Sequence, residues 1–185
     1  MMTEKRKKWK TLESRYIVQR PWLVARQDVV QLPTGVIYPE YYVLEYPTWV
    51  NVIAVTTAGE YVMVEQYRHG LEDVFTELCA GCVEPGEEPV DAARRELAEE
   101  TGYTGGEWEL LTVIAGNPST SNNLTYCYVA RGVKLTESQH LDRTEDIGVK
   151  LLTEAELYAM LERDEMKQAL MAAPLWKYFA LKERR

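Results

Sequence analysis

Long apolar runs are missing from this 185-residue chain. Runs such as WVNVIAV and LTVIAG stop far short of the ~20 residues that span a bilayer, so no membrane-spanning helix is expected and no membrane partner. Cysteine and histidine are scarce, with three Cys (Cys79, Cys82, Cys127) and two His (His69, His140). An odd number of thiols, in a chain large enough to do without covalent staples, argues against a disulfide framework and suits a reducing cytoplasm. The basic start MMTEKRKKWK does not lead into the apolar stretch of about 7 to 15 residues that a secretory signal needs, so it is expected to be a solvated arm. Internal repeats and low-complexity segments are also missing. Positive charge is in deficit: 21 Lys and Arg face 29 Asp and Glu, a net charge of −8. Such a surface disfavours nucleic acid as a partner, and a small anionic ligand would need cations to mediate its binding.

What the chain does have is β-rich text at its start. SRYIVQ, WLVARQDVVQL and VIYPEYYVLEY read as strands, with LPTG as the hairpin turn between the last two. Pro47 breaks the run, and NVIAVTTAGEYVMVEQYR reads as a further hairpin turning at Ala58 and Gly59. This places a domain boundary near residue 48, with residues 1–48 as an N-terminal arm and β element and 49–185 as the main domain. FTELCA reads as a strand and AGCVEPGEE as a loop. PVDAARRELAEET, with Pro89 in its first turn and Gly102 just past its end, reads as a helix of three to four turns. WELLTVIA and LTYCYVAR follow as strands around the loop GNPSTSNN. TEAELYAMLERD, with Thr153 and Glu156 spaced as a capping box, and ALMAAPLWKYFALKERR complete the chain as helices.

The helix carries the chemistry. At about 100° per residue, Glu96 and Glu100 lie about 40° apart and Glu99 about 60° to the other side, all bordering the apolar face of Val90, Ala93 and Leu97. Like charges at i, i+3 and i, i+4 each cost a few tenths of a kcal/mol. Glu99 and Glu100 also oppose the negative end of the helix dipole. Divalent cations would reverse the sign of each effect, and Mg²⁺ or Mn²⁺ suits a few carboxylates plus a ligand's phosphates. Spacing alone equally describes a solvated acidic face, which is the commoner use of such a run.

A longer pattern separates the two readings. Gly81, five residues, Glu87, seven residues, Arg95-Glu96-Leu97, one residue, Glu99-Glu100, one residue and Gly102 resemble the Nudix box, with Tyr103 where a bulky aliphatic is usual. The resemblance implies a Nudix α/β/α sandwich with a mixed central sheet, and hydrolysis of a nucleoside diphosphate linked to another moiety. It implies Glu96, Glu100, Glu99 and the Ala80 carbonyl as metal ligands, Arg95 as the residue orienting the glutamates, and Glu87 as its loop anchor.

VEQYR, ELCAGCVEPGE, Pro118 and RTEDIGVKLLTEAEL further resemble the ADP-ribose and nucleotide-sugar diphosphatases, over roughly residues 50 to 160. From that subgroup come Glu145 as base, Arg68 on the phosphates with Gln66 beside it, and an antiparallel N-terminal β element shared in a homodimer. Trp22 and Tyr41 or Tyr42 would stack on the base, although strand aromatics at a dimer seam fit those tyrosines equally. Leu78-Cys79-Ala80-Gly81 stands where many ADP-ribose hydrolases have Leu-Pro-Ala-Gly. Asn117-Pro118-Ser119-Thr120 stands where many have Ser-Pro-Gly and a glutamate. The sugar and base therefore stay open. ADP-ribose, giving AMP and ribose 5-phosphate, is expected first. A GDP-sugar or other nucleotide sugar, or a non-catalytic ligand-binding regulator, is the alternative.

The pair Cys79 and Cys82 forms a C-x-x-C. A redox motif would open a helix, and here a Pro- and Gly-containing loop intervenes, while zinc would need further soft ligands at paired spacing. Inert thiols are expected.

Overall fold

The computed structural model describes residues 8–183. By chain contacts it divides into two units: residues up to 46 together with 117–123, and residues 47–116 with 124–185.

The first unit is a three-stranded antiparallel sheet of β1 (Lys10–Arg20), β2 (Leu23–Gln31) and β3 (Ile37–Glu45). The LPTG turn closes as expected, with Gly35 N–H donating to Leu32 O and Leu32 N–H to Val36 O. The turn between β1 and β2 puts Trp22 at φ 66° with 85% of its surface exposed. The unit buries few apolar side chains, and a polar cluster links its strands. Buried Asp28 accepts from Ser14 at 2.7 Å and from Arg26, which also pairs with Glu45. Segment 117–123 is laced to β3: Leu44 N–H donates to Thr120 O and the Tyr41 hydroxyl to Ser119 O.

The second unit is built on a mixed sheet. Its strands are β4 (Trp49–Thr56), β5 (Tyr61–Arg68), β6 (Asp73–Cys82), β7 (Tyr103–Thr104), β8 (Glu107–Ile114), β9 (Thr125–Leu135) and β10 (Ile147–Leu152). The order is β10-β5-β6-β4-β9-β7, with β8 on β9; β4 and β9 run parallel and the other pairs antiparallel. β4 is central and buried on both faces, so it reads as a nearly continuous apolar run. Val50 and Val52 pack with Ala92, Ala93 and Leu97 of α1 (Pro89–Thr101). Ile53, from the other face, packs with Leu157 of α2 (Glu154–Glu162) and with Leu175 and Phe179 of α3 (Ala169–Lys182). Two cores thus flank one sheet, the α/β/α arrangement expected.

Two departures from the sequence reading bear on the site. β6 runs on past Ala80 to Cys82, so Gly81 and Cys82 are strand residues rather than loop, because they pair with Val50 and Trp49 of β4. β10 is a strand that the sequence reading leaves out, drawn into the sheet by its pairing with β5, and the polar segment before it is tied down at the end of α1. No helix among the described residues is long and apolar enough to cross a membrane.

The capping box at α2 is present: the Thr153 hydroxyl accepts from Glu156 N–H, and Glu156 accepts from Thr153 N–H at 2.8 Å. Thr153→Ala is expected to cost about 1 kcal/mol, seen as a melting temperature lower by roughly 2 to 4 °C in a scanning calorimeter. An unchanged melt would mean the cap contributes nothing.

Candidate active site

α1 starts where Pro89 fits the first turn and stops at Gly102, whose φ of 74° suits glycine. A Cβ on Gly102 would also overlap Glu137 O, so the stop is fixed by sterics as well as by backbone conformation. Segment 136–146 supplies donors to the carbonyls left open there. Thr136 and Glu137 N–H donate to Gly102 O, His140 N–H donates to Glu99 O, and the Gln139 amide spans Glu100 O at 2.6 Å and Ile147 O at 3.0 Å. The end of the helix is therefore satisfied without a basic side chain in its last turn.

Arg95 is the centre of the carboxylate face. Its Nε and Nη2 grip both oxygens of Glu87 at 3.0 Å, and Nη2 also donates to Cys82 O at 3.0 Å. Its Nη1 donates to Glu96 at 2.9 Å and to Glu99 at 3.0 Å. Those contacts occupy the guanidinium's five N–H donors. They hold Glu87 below the usual carboxylate range. Glu87 in turn accepts from Glu84 N–H, folding the loop after β6 onto the helix. Gly81 gives the Glu96 carboxylate room to lie against the strand: a Cβ there would overlap it and displace that side chain.

Glu100 is buried, at 5% exposure, and accepts from Ala80 N–H at 3.1 Å and from the Cys79 thiol. Burial pushes its carboxyl up to about 7, and the charges of Glu96 and Glu145 add to the rise. Burial likewise raises Glu96, against the pull of Arg95. Glu145 stands in segment 136–146, half-buried, accepting from Asp142 N–H at 2.9 Å, and its charge is felt at both Glu96 and Glu100. The structure thus brings together Ala80, Gly81, Glu87, Arg95, Glu96, Glu99, Glu100, Gly102 and Glu145.

Arg68, at the end of β5, is ion-paired with Glu77, a buried partner absent from the sequence reading. Gln66 lies two residues away on the same strand, paired with Phe75 and Ile147. Trp22, Tyr41, Tyr42 and Pro118 belong to the first unit. Tyr41 stacks edge-on with Trp9 and Tyr38, while Tyr42 and Pro118 are exposed. The three thiols are free; Cys79 and Cys127 are buried, and burial pushes Cys79 and Cys82 up, away from thiolate character.

Residues 46–173 match the Nudix domain family, and residues 9–44 match the nucleoside diphosphate sugar hydrolase N-terminal domain. The chain belongs to the Nudix hydrolase family. Among relatives, the ADP-ribose pyrophosphatase of Bacillus subtilis is 34% identical over 155 residues, covering 83% of each chain. The methanol dehydrogenase activator of Bacillus methanolicus is 37% identical over 145 residues, covering 78% of each chain. A crystal structure described as an ADP compounds hydrolase superposes with a TM-score of 0.84 over 98% of this chain and 97% of that one, at 19% identity; it shows the shared fold.

Nudix hydrolases generally need a divalent cation. Among the described residues no three His, Cys, Asp or Glu side chains already converge on a metal position. Glu96 and Glu99 turn to Arg95 and Glu100 turns to Ala80 N–H. The donor set nonetheless fits a hard cation: clustered oxygens, among them the buried carboxylate of Glu100, which no basic side chain pairs, and the half-buried one of Glu96.

The folded Glu100 holds its proton up to about 7, against an ordinary value of 4.5. Between those values folding takes up a proton, so this group's contribution is best at low pH, falls as pH rises, and levels off above about 7. Metal-free Glu100→Gln is expected to melt above wild type at pH 8, the gap closing towards pH 4.5. A wild type as stable as the variant at pH 8 would contradict the burial penalty. Gly81→Ala is expected to displace Glu96 and weaken Mg²⁺ binding about 10- to 100-fold by calorimetry; unchanged affinity would show that the close approach is incidental.

Proposed function

We propose that the protein hydrolyses the diphosphate bond of nucleoside diphosphate sugars in an Mg²⁺-dependent reaction, with ADP-ribose, giving AMP and ribose 5-phosphate, as the foremost substrate. The observation that carries this reading is the placing of two carboxylates at β6: Glu96, half-buried against Gly81 and held by Arg95, and Glu100, buried and held by Ala80 N–H. The match of residues 9–44 and the name of the Bacillus subtilis relative support the substrate class.

Glu96, Glu100, Glu99 and the Ala80 carbonyl would hold Mg²⁺, with Mn²⁺ as substitute, and the bound cation would neutralise the diphosphate and acidify a water at phosphorus. Arg95 and Glu87 position the ligands. Glu145, on a segment tethered to the helix end, takes the proton from the attacking water; one phosphorus–oxygen bond forms to that water and the bridging bond breaks. Arg68 meets phosphate charge by exchanging Glu77 for it, with Gln66 alongside. In this reading residues 1–48 form the dimerisation and base-binding element and residues 49–185 the hydrolase domain. Trp22, Tyr41 and Pro118 contact the nucleoside. Exposed Tyr16, Ile17, Trp22, Ile37, Tyr38 and Tyr42 favour a homodimer through this element, because so much apolar surface is costly to leave in water. Free thiols favour the cytoplasm.

A regulatory role is the second reading, favoured by the relative named as an activator. The intact carboxylate face favours catalysis, whether or not it serves regulation.

With ADP-ribose and Mg²⁺, Glu96→Gln and Glu100→Gln are each expected to lower kcat/KM at least about 100-fold, and Glu145→Gln to lower kcat about 10²- to 10⁴-fold with little change in KM. Phosphate released by a coupled phosphatase measures it. No turnover by wild type, or equal turnover by the variants, sinks the proposal.

A further inference from the structure

Segment 136–146 contains no helix or strand, yet one of its side chains joins two elements. The Gln139 amide nitrogen donates to Glu100 O at the end of α1, at 2.6 Å, and to Ile147 O at the start of β10, at 3.0 Å. Both partners are carbonyls, so the amide must present its nitrogen, whose two N–H groups match the two oxygens. Satisfying the helix end needs one of them; the second reaches a strand that helix capping does not involve. Gln139 is exposed while Glu100 and Ile147 are buried, so hydrogen bonds rather than packing hold the side chain in place.

These bonds make a closed loop. From Gln139 the chain runs out and returns to Ile147, 8 residues on, where the same side chain holds it. The incoming arm is tied to α1 by His140 N–H on Glu99 O, and the outgoing arm to β5 by the pairing of Ile147 with Gln66; the Gln139 amide joins the two arms. Inside the loop, Leu141 packs against the core that α1 covers. Glu145 N–H donates to Asp142 O while the Glu145 carboxylate accepts from Asp142 N–H, each at 2.9 Å. Those two bonds lie within the loop, so they shape the turn that carries Glu145 without fixing where that turn stands against α1.

We propose that Gln139 is a positioning residue for the reaction: by closing the neck of loop 139–147 it holds Glu145 where that carboxylate can take the proton from the attacking water. The inference rests on the hydrolytic reading above, in which Glu145 is the proton acceptor. A proton acceptor must lie within hydrogen-bond reach of the water it deprotonates, and a displacement of about 1 Å can cost on the order of 100-fold in rate. A loop open at its neck leaves Glu145 free to shift, because among the described residues its carboxylate takes its hydrogen bond from the same loop. The contribution of Glu145 therefore depends on a side chain whose own partners are two backbone carbonyls.

The test is steady-state turnover of ADP-ribose by the full chain at saturating Mg²⁺, for wild type, Gln139→Met, Glu145→Gln and the double variant. Met keeps the length of Gln and lacks its donors, and because the side chain is exposed the change leaves no cavity. Gln139→Asn, whose shorter amide cannot span both carbonyls, decides if Gln139→Met does not fold. Gln139→Met is expected to lower kcat about 10- to 100-fold with KM within about threefold of wild type. Added to Glu145→Gln it is expected to cost no more than about threefold, because the base it places is already gone. A purely structural role would instead bring the same loss in both backgrounds. The inference is overturned if Gln139→Met turns over within about threefold of wild type, if the loss appears in KM, or if it recurs in full beside Glu145→Gln. No turnover by wild type would sink the hydrolytic reading and this inference with it, whereas an active wild type with any of those three outcomes sinks this inference alone.

Discussion

Arg95 sits under a face of α1 that electrostatics alone would push apart. Its five donors reach Glu87, the Cys82 carbonyl, Glu96 and Glu99, so one guanidinium joins strand, loop and helix. A lysine has three donors and no planar fork, and could not hold this set. With Arg95 in place Glu96 lies against Gly81; with Glu96 there, Gly81 has no room for a side chain. The shape of the loop after β6 and the direction of the carboxylates are thus one constraint.

The same face is left under-neutralised. Glu100 faces a backbone N–H and a thiol rather than a cation, and Glu145 brings a further negative charge. Structures tolerate such clustering where a bound charge compensates it, and the donor set is one that a hard divalent cation takes. At the end of α1, Gln139 and His140 satisfy the last carbonyls and in doing so anchor the segment that carries Glu145. Positioning of the proposed metal ligand Glu100 and of the proposed base Glu145 therefore depends on a single helix end.

Much of this was legible in the residues. Pro89, Gly102 and the spacing of apolar side chains define α1, and the long pattern from Gly81 to Gly102 identifies the family. The turn at LPTG and the capping box at Thr153 follow from local chemistry. What was not legible came from pairing across the sheet. Cys82 reads as loop because glycine and proline surround it, but β4 draws it into β6. Glu77 looks like any strand glutamate until Arg68 folds over it. Gln139 lies in a polar stretch with no periodicity, and its role appears only when residues 39 apart meet.

Burial raises the Glu100 carboxyl to about 7, so a divalent cation bound there would displace a proton. Calorimetric Mg²⁺ titration at pH 7 in buffers of different ionisation enthalpy reads this directly as protons released per metal bound. With the carboxyl at about 7, release of roughly half a proton is expected from wild type, little at pH 9, and little from Glu100→Gln at either pH. Mg²⁺ binding to wild type at pH 7 with no proton released would show that Glu100 is already ionised or takes no part in binding the metal.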